Sequence, residues 1–161
     1  MLDLSHLESE SAMKVAILSG SVYGTAEEVA RHAEQLLKNA GLDAQYLPRA
    51  SLEQLLAFDP EALLTVTATT GMGELPDNLL PLYSELRDRL PNWRGRPGAI
   101  LALGDSSYDQ FCGGGELMRE LYLELGLREV VEMERVDASE TVSPERDAEP
   151  WLARFAEALK A

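Results

Sequence analysis

The sequence has a single cysteine, Cys112, so no disulfide can form within the chain, and a reducing cytoplasm is the expected setting. Bases are scarce: 14 Lys and Arg stand against 28 Asp and Glu, a formal net charge of −14. A surface of that sign repels nucleic acid and anionic membranes and steers towards basic protein patches. No apolar run approaches the ~18–20 residues of a membrane-spanning helix. Met1 to Ala12 contain no Lys or Arg and no apolar stretch, which excludes a signal peptide. The expectation is a disordered leader over 1–12, with Met13 as the natural start and one domain over 13–161. Of the two histidines, His6 falls in that leader and His32 on a solvated helix face, so neither suggests catalysis.

What is present is an ordinary folded composition, 45% hydrophobic and 26% charged, and a regular alternation of elements. Strands are predicted over Lys14–Ser19, Asp43–Leu47, Ala62–Thr67, Gly98–Gly104 and Arg128–Val136. Helices are predicted over Thr25–Asn39, Ser51–Phe58, Asn78–Arg89, Glu116–Leu125 and Pro144–Lys160. Val29, Leu36 and Leu37 share one face of the first helix, and Trp151 and Phe155 lie one turn apart on the last. Strand–helix alternation with near-continuous apolar strands predicts an α/β fold, a parallel sheet covered by helices on both faces.

In such a sheet ligands bind beyond the carboxyl ends of the strands, and three loops there have unusual compositions. The first, Ser19 to Ala26, joins a strand to a helix through small residues. It presents backbone N–H groups and the positive helix end to an anion, with Ser21 and Thr25 adding hydroxyls and no base nearby. The alternative is that Ser21 or Thr25 merely caps the helix. The spacing is neither a Walker loop nor G-x-G-x-x-G, and strand two ends Tyr46-Leu47-Pro48-Arg49 without a ribose-binding acid.

The second loop, Thr69-Thr70-Gly71-Met72-Gly73-Glu74-Leu75-Pro76-Asp77-Asn78, has glycines that let backbone approach a flat ligand. Asp77 or Asn78 is expected to cap the helix that follows. The third runs from Gly104 and Asp105 through Ser106, Ser107 and Tyr108 to Phe111, Cys112 and Gly113-Gly114-Gly115. Its aromatics suit stacking on a planar ring. Cys112 reads as a small packing group whose backbone amide matters, with nothing electropositive flanking it to activate its thiol.

Together the loops resemble the flavodoxin family and the FMN domains of diflavin reductases, from Met13 to the C-terminus. Gly104-Asp105-Ser106-Ser107-Tyr108 followed by Phe111-Cys112-Gly113 is similar to the family's isoalloxazine loop almost letter for letter. With no insertion splitting the last strand, the chain is similar to short-chain flavodoxins of the small MioC type. The resemblance implies a flavodoxin-like three-layer sandwich with a five-stranded parallel sheet in the order 2-1-3-4-5, flavodoxins being a standing example of that order.

It also implies FMN as cofactor. Ser21, Val22, Tyr23, Gly24, Thr25 and Ala26 would hold its phosphate. Thr69, Thr70, Gly71, Met72 and Gly73 would line one face of the isoalloxazine, and Tyr108, with Phe111 nearby, the other. Backbone around Gly104, Asp105 and Cys112 would meet the pyrimidine edge. Two positions depart from the family pattern: Tyr23 stands where threonine is usual, and Thr70 where an aromatic often shields the inner face.

The implied role is a low-potential single-electron carrier, monomeric and cytoplasmic. Its partners would be a flavodoxin or ferredoxin NADP reductase and a redox acceptor enzyme, met through the acidic face around the flavin, with no nucleic acid, membrane or metal involved. The alternatives are an FMN-dependent NAD(P)H:quinone oxidoreductase and a degenerate flavodoxin fold that binds only a protein partner. A phosphoacceptor receiver domain needs clustered acids after the first strand, where this chain has Ser19-Gly20-Ser21.

Overall fold

A strand covered on both faces needs apolar side chains at successive positions. KVAILSG and ALLTVT supply them, and β1 (Lys14–Gly20) and β3 (Ala62–Thr67) are buried almost throughout. A computed structural model, which describes residues 12–70, 73–105, 112–137 and 139–160, sets these strands at the centre of a parallel sheet. Around them lie β2 (Asp43–Tyr46), β4 (Pro97–Gly104), β5 (Arg128–Glu129) and β6 (Glu134–Asp137), in the order β2-β1-β3-β4-β5, with β6 also pairing with β4. The three-layer architecture and the 2-1-3-4-5 order are those expected.

Strand alternation divides the core in two. Val15, Ile17, Leu64, Val66 and Leu101 face α1 (Thr25–Asn39) and α6 (Glu149–Lys160), where Val29, Leu37 and Trp151 meet them. Ala16, Leu18, Leu63, Ile100 and Ala102 face α2 (Leu52–Phe58), α3 (Leu80–Arg89) and α4 (Gly113–Leu125), against Leu52, Leu82 and Met118. Trp151 and Phe155 stack with ring centroids 6.0 Å apart. The buried hydroxyls are paired: Ser19 Oγ lies 2.5 Å from the Tyr46 hydroxyl, and Thr65 Oγ1 lies 2.6 Å from that of Tyr122. The first pair links β1 to β2 and the second ties β3 to α4, neither leaving an orphaned polar group.

Several boundaries differ from expectation, each for a local reason. The single strand predicted over Arg128–Val136 is two. Gly98 pairs with Glu129 and Leu101 with Glu134, so Ala99 and Ile100 stand opposite the four residues 130–133. Trp151 Nε1 donates to the Glu132 carbonyl over 2.8 Å, satisfying backbone in the interruption. The last helix is also two: α5 (Pro144–Asp147) stops before α6, because Pro150 has no N–H to return to Arg146 and its ring crowds that carbonyl. Helix α3 starts at Leu80 rather than Asn78, whose side chain is engaged elsewhere. Helix α4 starts at Gly113, three residues before the predicted Glu116.

Removing the Tyr122 hydroxyl leaves Thr65 unpaired in the core. Tyr122→Phe is expected to lower unfolding free energy by about 1–2 kcal/mol in urea denaturation. The Thr65→Val/Tyr122→Phe pair should cost less than the sum of the single changes.

Candidate functional site

All strands being parallel, β1, β3 and β4 deliver the three loops to one edge of the sheet. In the first, the chain leaves β1 and turns back through Gly24, whose left-handed φ of 88° suits glycine and which is the N-cap of α1. The Gly24 N–H donates to Ser21 Oγ over 2.7 Å. Ser21 therefore closes the turn before the helix instead of capping the helix itself. Glu28 N–H donates to the Gly24 carbonyl, so the N–H groups of Thr25, Ala26 and Glu27 precede the first intrahelical bond and stay available to a ligand. Val22 and Tyr23 stand out at the rim, 54% and 95% exposed, while Ala26 is buried.

The Ser21 N–H donates to Asn78 Oδ1 over 2.9 Å. Asn78 thus joins the second loop to the first, and neither it nor Asp77 caps α3, whose N-cap is Leu79. The side chain that would cap a helix serves equally as an acceptor across a gap, which is why spacing alone misassigned it. The second loop is a closed hairpin: Thr70 N–H donates to the Glu74 carbonyl (2.8 Å) and Glu74 N–H to that of Thr70 (2.7 Å). The Thr70 hydroxyl points back to the carbonyls of Glu74 and Leu75. Thr69 Oγ1 accepts from the Gly114 N–H over 3.0 Å and so caps α4 from another loop. Gly71 and Met72 lie outside the described residues.

The start of α4 explains its three glycines. A Cβ on Gly113 would stand 2.7 Å from Gly73 Cα, one on Gly114 2.6 Å from the Ala68 carbonyl oxygen, and one on Gly115 2.6 Å from Ala102 Cβ. Backbone there lies directly on the second loop and on β4. In the third loop Gly104 and Asp105 are half-buried and Cys112 is fully buried, at a left-handed φ of 59°. Tyr108 and Phe111 lie outside the described residues.

Burial pushes the Cys112 thiol up to about 11, and Arg135 beside it pulls the other way. The expectation that nothing electropositive flanks Cys112 is therefore corrected: β6 carries a guanidinium there, paired with the Glu116 carboxylate. Burial outweighs the cation, so the thiol stays protonated at neutral pH. Arg135 escaped notice because β6 contributes it from outside all three loops. Among the described residues no cluster of His, Cys, Asp or Glu could hold a metal, and no helix is long and apolar enough to cross a membrane.

The edge thus offers first-turn N–H groups and hydroxyls for an anion, next to the backbone contact between the second loop and the start of α4. The family model described as Flavodoxin matches residues 17–151. This chain belongs to the flavodoxin family. Flavodoxin YqcA of Pectobacterium carotovorum is 38% identical over 148 residues, 92% of this chain and 98% of that one. A MioC homologue of Haemophilus influenzae is 34% identical over 148 residues, covering 92% of this chain and all of its own. A solved structure of a cysteine-to-alanine mutant of flavodoxin from Pseudomonas aeruginosa superposes with a TM-score of 0.91 at 71% identity, covering 92% of this chain and 100% of that one.

The protein is a short-chain flavodoxin, an FMN-binding electron carrier of the kind that takes electrons from reductases and passes them to acceptors. The donor set fits the cofactor's phosphate: the N–H groups of Thr25, Ala26 and Glu27 precede the first intrahelical bond at the positive end of α1.

Cys112 gives this flavodoxin a measurable pH signature. Its raised folded-state pKa contributes stability that is complete below the unfolded thiol range and lost as pH rises from about 9 to about 11. In urea melts, the wild type is expected to lose roughly 2–3 kcal/mol relative to Cys112→Ala across that window. Parallel pH profiles for the two proteins would contradict a buried neutral thiol.

Proposed function

We propose that this flavodoxin is a low-potential, single-electron carrier. It receives electrons from a flavodoxin or ferredoxin NADP reductase and delivers them to a redox acceptor enzyme through the acidic face around the flavin. The observation that carries the reading is the convergence of three loops, none containing Lys or Arg, on one sheet edge of a strongly acidic protein.

In this reading Ser21 to Ala26 hold the FMN phosphate by neutral donors alone, the Thr25, Ala26 and Glu27 N–H groups aligned with the positive end of α1. Thr69 to Gly73 line one side of the isoalloxazine and Tyr108 stacks on the other. Backbone around Gly104, Asp105 and Cys112 meets the pyrimidine edge. When bound, FMN supplies the one-electron chemistry. The chain's part is to exclude water from the ring and to surround it with negative charge. That field makes the second electron harder to add than the first and so separates the two steps. Glycines 71 and 73 give the second loop the freedom to turn a peptide towards the ring as its protonation changes.

A reductive titration followed by visible absorption tests the role: two resolved one-electron steps are expected, and a single concerted two-electron transition would refute it. Tyr108→Ala should weaken FMN binding to apoprotein by about 1–3 kcal/mol, read by flavin fluorescence, if its stacking resembles that of bases on aromatics. Unchanged affinity would remove Tyr108 from the site.

A further inference from the structure

Two ion pairs run from α4 to the edge of the sheet. Arg119 donates to Glu129 of β5, with Nε and Nη2 both 3.2 Å from Oε2, and Glu116 accepts from Arg135 of β6. The pairs have opposite polarity, and their helix partners, Glu116 and Arg119, stand one turn apart on α4. Arg119–Glu129 is set back at Gly98, deep in β4, whereas Arg135 is in register with Ala102, near the strand's carboxyl end.

Glu116 is tied to the cofactor edge by backbone as well, because its N–H donates to the Cys112 carbonyl. Cys112 is the buried N-cap of α4, immediately before the glycines that pack on the second loop. The Glu116 backbone is thus one hydrogen bond from the residue whose backbone is assigned to the pyrimidine edge, and its carboxylate belongs to the same first helical turn. Left alone it would add a negative charge where reduction of the ring also adds one. Arg135 neutralises it.

We propose that Arg135 is a positioning residue for the FMN site: its guanidinium balances Glu116 and thereby sets how readily the bound cofactor takes its second electron. This rests on the loop assignments proposed above. The three loops contain no cation, so the balance is supplied by β6, which pairs with β4 from Leu101 to Gly104 and sets Arg135 beside Ala102. A merely structural pair would behave differently. Losing either partner of a brace loosens the same turn and shifts every property in one direction, whereas losing either half of a charge balance moves the potential in opposite directions.

The test is potentiometric titration of FMN-loaded Arg135→Gln, Glu116→Gln and the double variant at one fixed ionic strength, with thermal melts of each apoprotein as the check on folding. Arg135→Gln is expected to lower the equilibrium constant of the second one-electron step about threefold or more, and Glu116→Gln to raise it by a similar factor. The double variant and Arg135→Lys should stay within about twofold of wild type.

Shifts of the same sign, or none, overturn the proposal. Should Arg135→Gln fail to fold, Glu116→Gln alone decides by the sign of its shift. Charge variants without opposed shifts, alongside the expected affinity loss in Tyr108→Ala, remove this inference and leave the site standing. Apoprotein that fails to take up added FMN removes both.

Discussion

The rest of the site depends on one contact of backbone against backbone: the glycine start of α4 lying on the hairpin after β3. Glycine is among the poorest helix formers, and each one inside a helix costs about 1 kcal/mol relative to alanine. Three in succession at 113–115 would ordinarily argue against a helix. Here no other residue fits, since any Cβ would fall within 2.8 Å of Gly73, the Ala68 carbonyl or Ala102. The close approach lets Thr69 supply the cap that Cys112 does not, and it buries Cys112 under the turn. Ala68, Thr69, Gly73 and the start of α4 are consequently one structure, seated on β4.

Among the described residues, the Asn78 side chain, which accepts from the Ser21 N–H, joins the first loop to that structure, beside the Ala68 N–H bond to the Gly20 carbonyl. This division suits a ligand with two chemically different ends. In the function proposed, an anion would be met by the N-terminus of α1 and a turn closed by its own serine, and a flat ring by the loops after β3 and β4. The acidic surface does not forbid the anion, because the helix end acts locally and charges farther away are screened within about 8–10 Å. Glu27, in the first turn of α1, is moreover paired with Arg31 at 2.9 Å. Net charge instead acts on what changes during the reaction, the electron count of the ring.

Legibility from sequence followed how local each cause was. β1 and β3 could be read directly, because burial on both faces leaves an uninterrupted apolar run. The glycine and serine content of the three loops marked the site edge for the same reason: turns and close approach demand those residues in place. The start of α4 was hidden, since its glycines are explained by Gly73, Ala68 and Ala102 rather than by their own neighbours. Asn78 carried a capping signal that its partner Ser21 redirected. The break between β5 and β6 depends on an indole N–H from α6, far along the chain, and no pattern within Arg128–Val136 contains it.

That break also accounts for Arg135. Side chains along a strand alternate faces, so inserting one residue would turn everything beyond it to the other side. Four residues stand where β4 has two, an even excess, and the alternation survives the interruption. Val136 therefore stays in the core facing α1 and α6, and Glu129 and Arg135 both stay on the face of α4. An odd insertion would have sent the guanidinium towards Trp151 and Leu152 and left Glu116 unbalanced beside Cys112. The strand interruption, invisible as a motif, is what allows an edge strand to advance by two residues and still present a cation to Glu116 of α4.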